Sequence, residues 1–268
     1  MPAANARESD MSSILIDRDG PVLRITLNRP DVRNAFDEEV IASLTAAATR
    51  AADDPAIRAV VVAGNGKAFC AGADVAWMAK AIAYSRRENL SDAEDLVRML
   101  ERLDTLPVPV IARIQGSALG GGVGLAAVCD IVIAADDAVF ALSEVKLGIL
   151  PAVVAPYVLR KIGISAAREF FLTGSRFGAA RAKEVGLVHE VVPVAELDAA
   201  VARRIDEILS AGPSGIAAAK ALIRDIAGAH PDDVIGVTTN AIAAQRVSEE
   251  GQEGLRAFLE KRKPSWTA

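Results

Sequence analysis

The sequence predicts an α/β protein, with an α/β core up to about residue 190 and a helical part beyond it. Three observations carry this. Short apolar runs such as "IRAVVVAG" and "VPVIARI" alternate with segments whose apolar residues recur at helical spacing, the pattern of strands joined by right-handed crossovers. From Ser165 onward, strand-like runs nearly vanish and helical ones follow one another. The chain has 268 residues, 51% hydrophobic and 24% charged. A domain of that length hides roughly three quarters of its unfolded surface, so one large core is available.

The elements follow in order. Residues 1–12 read as a disordered tail, because "MPAANARESDMSS" has neither the apolar core nor the basic start of a secretory leader. Residues 13–190 are the α/β core. "ILIDRDGPVLRITLN" gives two strands about a turn at Asp19-Gly20, and "RPDVRNAF" is a loop. Asp37 is placed to cap a helix carrying Val40, Ile41, Leu44, Ala48 and Ala51 on one face. "IRAVVVAG" is a buried strand, "NGKAFCAGAD" a loop, and Asp74 opens a short helix. Residues 85–106 form a charged amphipathic helix stopped by Pro107. "VPVIARI" is the next strand, followed by a glycine loop and a helix, and "DIVIAADDAVFAL" gives two short strands. "SEVKLGILPAVVAP" is irregular and leads into a helix near residues 157–162. Helices then cover 178–185, 195–210, 214–227, 233–247 and 249–261, with "LVHEVV" the one strand among them. Residues 191–268 are the helical region.

The net charge of −5 argues against nucleic acid as a partner, and no apolar run reaches the eighteen or so residues of a membrane span. Cys70 and Cys129, the only cysteines, lie far apart in apolar settings, as buried thiols of a reducing compartment do. With only His189 and His230, there is no Cys/His cluster and no metal site is expected. Both histidines read as structural or surface residues.

The most informative stretch is "GSALGGGVGLAAVCD", residues 116–130. It lacks the Walker spacing, the G-x-G-x-x-G fingerprint and the G-x-S-x-G elbow. Two readings stay level on the loop alone. One is an oxyanion hole, where glycines let a carbonyl oxygen approach free N–H groups at a helix start. The other is close helix–strand packing through glycine.

"LNRPDVRNAF", "GKAFCAGADV", "PVIARIQGSALGGGVGLAAVCDIVIAA" and "FALSEVKLGILPA" occur in one order along the chain, followed by "GLVHEVVP" and "EGLRAFLEKRKPSW". Together they resemble the enoyl-CoA hydratase/isomerase, or crotonase, family over residues 14–266. The resemblance implies a crotonase-like ββα spiral core with a helical C-terminal trimerisation part. It implies an enoyl-CoA hydratase, a lyase of fatty acid metabolism in the cytoplasm, acting on an acyl-CoA thioester. Coenzyme A enters as part of the substrate, and no separate cofactor is implied. By the same resemblance, the amides of Ala73 and Gly121 hold the thioester oxygen. Ala71, Gly72, Asp74 and Gly120 form the surrounding substrate-binding loops.

The resemblance makes Glu144 the catalytic carboxylate. Its neighbours Ala141, Leu142, Val145 and Leu147 are apolar, so its pKa is expected to rise. A second family glutamate aligns with Gly124, which cannot ionise, so a single-carboxylate mechanism is expected. "GGGVGL" with "SEVKLGILPAVVAPYVLRKIG" is nearest the methylglutaconyl- and isohexenylglutaconyl-CoA hydratase branch. There Gly124 would spare the acyl pocket both volume and charge, and Pro151 would stiffen its wall. Arg33 and Lys67, with Arg29 nearby, are candidates for the CoA phosphates. Phe258 is a candidate for adenine stacking and Lys261 for a phosphate. A homotrimer or dimer of trimers is expected. Two alternatives remain open: a Δ3-Δ2-enoyl-CoA isomerase using the same single base, and a non-catalytic acyl-CoA-binding protein.

Overall fold

Runs of β-branched residues become the sheets. In the computed structural model, which describes residues 12–267, the strands are β1 (Ile14–Asp19), β2 (Val22–Leu27), β3 (Ala59–Gly64), β4 (Val110–Ile114), β5 (Ser117–Leu119), β6 (Ile131–Ala135), β7 (Val139–Ala141), β8 (Arg176–Gly178) and β9 (Glu190–Val192). Of the expected tail, all but Ser12 lies outside the described residues. One sheet has the order β1-β2-β3-β4-β6-β9, with the β1–β2 hairpin antiparallel and every other pairing parallel. A smaller sheet, β5-β7-β8, pairs β5 with β7 in parallel and β7 with β8 antiparallel.

The helices are α1 (Glu38–Asp53), α2 (Val75–Ala81), α3 (Arg86–Asp104), α4 (Gly121–Val128), α5 (Ala155–Thr173), α6 (Ala179–Glu184), α7 (Leu197–Ser210), α8 (Pro213–Gly228), α9 (Val234–Val247) and α10 (Glu249–Leu259). Side chains alternate across a strand, so the inner strands of the large sheet feed two cores. Ile25, Val60, Val62, Ala112 and Ile114 face α1, α3 and α4. Val22, Val61, Ile111 and Ile133 face α7 through Leu197, Val201 and Ile205. Asp37 caps α1 as expected, accepting from the Val40 N–H at 2.9 Å. α3 starts with a reciprocal capping box between Ser85 and Glu88. In α4 every residue from Gly122 to Val128 is buried, so this helix has no polar face to betray it as amphipathic.

Three features depart from the sequence expectation. β5 lies inside the run expected to be a loop, and β8 was not expected at all; three residues are too few for an alternating pattern. α5 runs on to Thr173, broken at Gly163, whose φ of 69° lies outside helical space. His189 is structural, its Nδ1 accepting the Val132 N–H at 2.9 Å. Cys70 and Cys129 are free and buried, and burial pushes the pKa of each thiol up to about 12. No helix of the described residues is long and apolar enough to cross a membrane.

Candidate active site

Strand register assembles the site. Leu119 at the end of β5 pairs with Ala141 at the end of β7, and the strands are parallel. The residues that follow them therefore emerge side by side: Gly120-Gly121 after β5, and Leu142-Ser143-Glu144 after β7. The Gly120 N–H donates to the Ala141 carbonyl at 2.8 Å. A parallel bridge between Cys70 and Ala118 brings a third segment, Ala71-Gly72-Ala73, alongside the same ends. A bridge between Phe36 and Ala73 fixes it from the other side, with Phe36 N–H donating to Gly72 O at 2.7 Å and Asp74 N–H to Phe36 O at 2.8 Å. Ligands bind beyond the carboxyl ends of parallel strands in open α/β folds, and that is where these loops meet.

Two amides are left over. Among the described residues, neither the Ala73 N–H nor the Gly121 N–H donates to a protein acceptor. Gly121 is the first residue of α4, where the helix has no internal partner for its N–H and carries partial positive charge. Two glycines make this approach sterically allowed. Gly72, at φ +89°, would place a Cβ 2.8 Å from the Leu119 carbonyl oxygen. Gly120, at φ +50°, would place one 3.1 Å from Glu144 Oε1. Positive φ at both positions excludes ordinary L side chains as well.

Glu144 opens a 3-10 turn, residues 144–147, closed by left-handed Gly148. Its Oε2 is buried and has no hydrogen-bond partner among the described residues. Burial pushes its carboxyl up from the ordinary glutamate value. Ala141 and Leu142 are buried beside it, whereas Leu147 is exposed. Glu144, Ala71, Gly72, Ala73, Gly120 and Gly121 all border one cavity of about 470 Å³, as does Pro151. This volume is in the range of small-molecule sites.

Asn34 holds the loops around this cavity in place. It is buried, its side-chain oxygen accepts from Arg29 N–H at 2.9 Å, and its amide donates to Asn65 O and Ala68 O at 2.9 and 2.8 Å. Nothing in the loop's sequence singled it out. Trp77 and Asp92, which the sequence did not single out, also border the cavity and bond to each other, Trp77 Nε1 donating to Asp92 Oδ1 at 2.9 Å. A signal existed: Asp92 stands in helical register with the apolar stripe Leu96, Met99 and Leu103.

Several expected site residues stand elsewhere. Gly124 does not itself border the cavity but packs against Val154, which does: a Cβ there would come within 2.8 Å of Val154 Cβ and closer still to Val154 Cγ1. The close contact with Val154 leaves no room for a side chain at this position. Gly124→Ala should therefore destabilise the fold by roughly 1–3 kcal/mol, the usual range for overpacking; urea unfolding checks this, and an unchanged midpoint contradicts it. Gly122 is also a packing glycine, set against the Cys70 carbonyl. So the two readings of the glycine run divide it: Gly120 and Gly121 face the cavity, while Gly122 and Gly124 serve close packing.

Asp74 likewise does not border the cavity. Its Oδ1 caps α2 through the Ala76 N–H at 2.8 Å, and its Oδ2 pairs with Arg29 at 2.9 Å. Arg29 is held by Asp74 and Asp37. Arg33, Lys67, Phe258 and Lys261 are exposed and outside the cavity walls. Arg33 is nevertheless adjacent, since its carbonyl accepts the Ala71 N–H at 2.9 Å.

A desolvated carboxyl and two unpaired amides thus border one cavity at the carboxyl ends of parallel strands, an arrangement suited to an enzyme. The comparisons agree. The family model for enoyl-CoA hydratase/isomerase matches residues 17–268. A crystal structure of an enoyl-CoA hydratase from Shewanella pealeana superposes with a TM-score of 0.92 at 40% identity, covering 97% of this chain and 100% of that one. The crotonyl-CoA hydratase of Syntrophomonas wolfei is 33% identical over 95% of this chain and 97% of its own length. The 2,3-dehydroadipyl-CoA hydratase of Escherichia coli K12 is 32% identical over 96% of this chain and 99% of its own. The chain belongs to the enoyl-CoA hydratase/isomerase family.

Proposed function

We propose that the enzyme hydrates an α,β-unsaturated acyl-CoA using one glutamate and a backbone oxyanion hole. The observation that carries this reading is the unpaired Glu144 carboxyl oxygen, buried on the same cavity as the free amides of Ala73 and Gly121. The Glu144 carboxylate takes a proton from water as the water oxygen bonds to C3. The π pair between C2 and C3 shifts to lie between C1 and C2, and the carbonyl π pair moves onto the thioester oxygen, where the two amides stabilise the enolate. Preorganised donors of this kind contribute about 3–4 kcal/mol each. As the enolate collapses, Glu144 returns the proton to C2, so one carboxyl serves as base and then acid.

Among the described residues, no lysine or arginine borders the cavity, and two carboxylates do. This supports a neutral enoyl chain over a carboxylated glutaconyl one. Arg33 and Lys67 are the proposed contacts for the nucleotide phosphates of coenzyme A. Phe258 and Lys261 are proposed to meet that nucleotide from a neighbouring subunit. The proposed homotrimer, alone or paired, is supported by α8 and α9, which bury no residue in one chain and expose Ile223, Ile235 and Val247.

Turnover of crotonyl-CoA in heavy-oxygen water tests the reaction. One label at C3 of the product is expected; a migrated double bond without label supports the isomerase instead. The pH profile follows from burial of Glu144. Its raised pKa means the base form is lost at higher pH than for an ordinary glutamate. The acid limb of kcat/KM should therefore lie above the usual carboxylate range, and a limb near pH 4 contradicts the assignment.

A further inference from the structure

We infer that Asp92 sets acyl-chain choice by presenting a fixed negative charge on the α3 wall of the cavity, which turns away thioesters whose acyl chain ends in a carboxylate. The inference rests on the reading of the cavity as the acyl site. Asp92 borders that cavity together with Trp77, Asn89 and Leu96. Trp77 is buried, and its indole N–H fixes Asp92 Oδ1 at 2.9 Å, so the carboxyl is held in the wall rather than free to swing away. Asp92 also borders an outer groove between α1 and α3, which makes it the partition between groove and cavity.

The cations near this partition are engaged elsewhere. Lys80 pairs with Glu38 at 2.8 Å, and Arg98 pairs with Asp95 and Glu94. None of the ion pairs among the described residues includes Asp92. An incoming carboxylate would thus meet one like charge at Asp92 and another at Glu144, with no cation in the lining to offset them. A neutral alkyl chain meets only the apolar remainder of the wall. Burial, with the nearby Glu38 and Asp95 charges, raises the Asp92 carboxyl above the ordinary aspartate value, while its bond from Trp77 and the nearby Lys80 charge work the other way.

The test compares crotonyl-CoA with 2,3-dehydroadipyl-CoA, which carries a terminal carboxylate. Asp92→Asn keeps an acceptor oxygen for Trp77 and removes only the charge; Asp95→Asn removes a charge on the same helix outside the cavity. The wild type should favour crotonyl-CoA. Asp92→Asn should raise the ratio of kcat/KM for the dehydroadipyl thioester to that for crotonyl-CoA by about tenfold or more. Asp95→Asn should leave that ratio unchanged. An unchanged ratio in Asp92→Asn overturns the inference, as does an equal loss on both thioesters, which marks Asp92 as a support of the wall. An equal gain in Asp95→Asn overturns it too, because charge at a distance would suffice. A wild type inactive on both thioesters refutes the proposed function instead.

Discussion

Glu144→Gln lowers kcat for crotonyl-CoA hydration by at least about 10²-fold, within the 10²–10⁴-fold range of general acid–base groups, and leaves thioester binding intact. The argument is chemical. Gln keeps the size and polarity of the side chain but can neither take a proton from water nor return one. Because the structure gives α4 no carboxylate at Gly124, no second group on that helix takes over. Steady-state turnover and equilibrium binding of crotonyl-CoA check both halves. A variant that retains more than a tenth of wild-type kcat contradicts the single-carboxylate mechanism. A stability effect accompanies it. Since burial raises the Glu144 pKa, the folded state holds a proton that the unfolded state has released, so stability falls as pH rises through that window. Glu144→Gln removes this dependence, and its thermal midpoint should decline less than the wild type's between pH 5 and pH 8.

Gly72→Ala is the second large effect expected. The φ of +89° disfavours any L side chain, and the added methyl would meet the Leu119 carbonyl oxygen at 2.8 Å. Relief of that contact moves the Gly72-Ala73 peptide away from the start of α4, so the two free amides no longer converge. Loss of one oxyanion donor lowers kcat by about 10²–10³-fold in comparable sites. KM should move much less, because the ground-state carbonyl depends on those donors less than the enolate does. Stopped kinetics on a variant with wild-type circular dichroism checks this. A raised KM at unchanged kcat would place Gly72 in binding alone.

The large sheet and the C-terminal helices were legible in the sequence because their periods are long enough to read. "AVVVAG" alternates between two cores, and α1 shows its cap and apolar stripe openly. The loops that border the cavity were legible only through the order of several motifs, since a glycine run by itself suits packing and anion binding equally. The structure divides that run by what each missing Cβ would meet: Glu144 at Gly120, Val154 at Gly124. Such long-range neighbours leave no local trace. Asp74 shows the same limit, because a carboxylate opening a helix reads alike whether it faces substrate or, as here, caps α2 and holds Arg29. β5 and β8, at three residues each, exist because they pair with β7 and carry no period of their own.

The most direct measurement is a crystal structure of the Glu144→Gln protein with crotonyl-CoA bound. The thioester oxygen should lie about 2.7–3.1 Å from both the Ala73 and Gly121 nitrogens, with the side chain at 144 facing the C2–C3 bond. A thioester oxygen bonded to neither amide, or an acyl chain lying outside the cavity, would contradict the account.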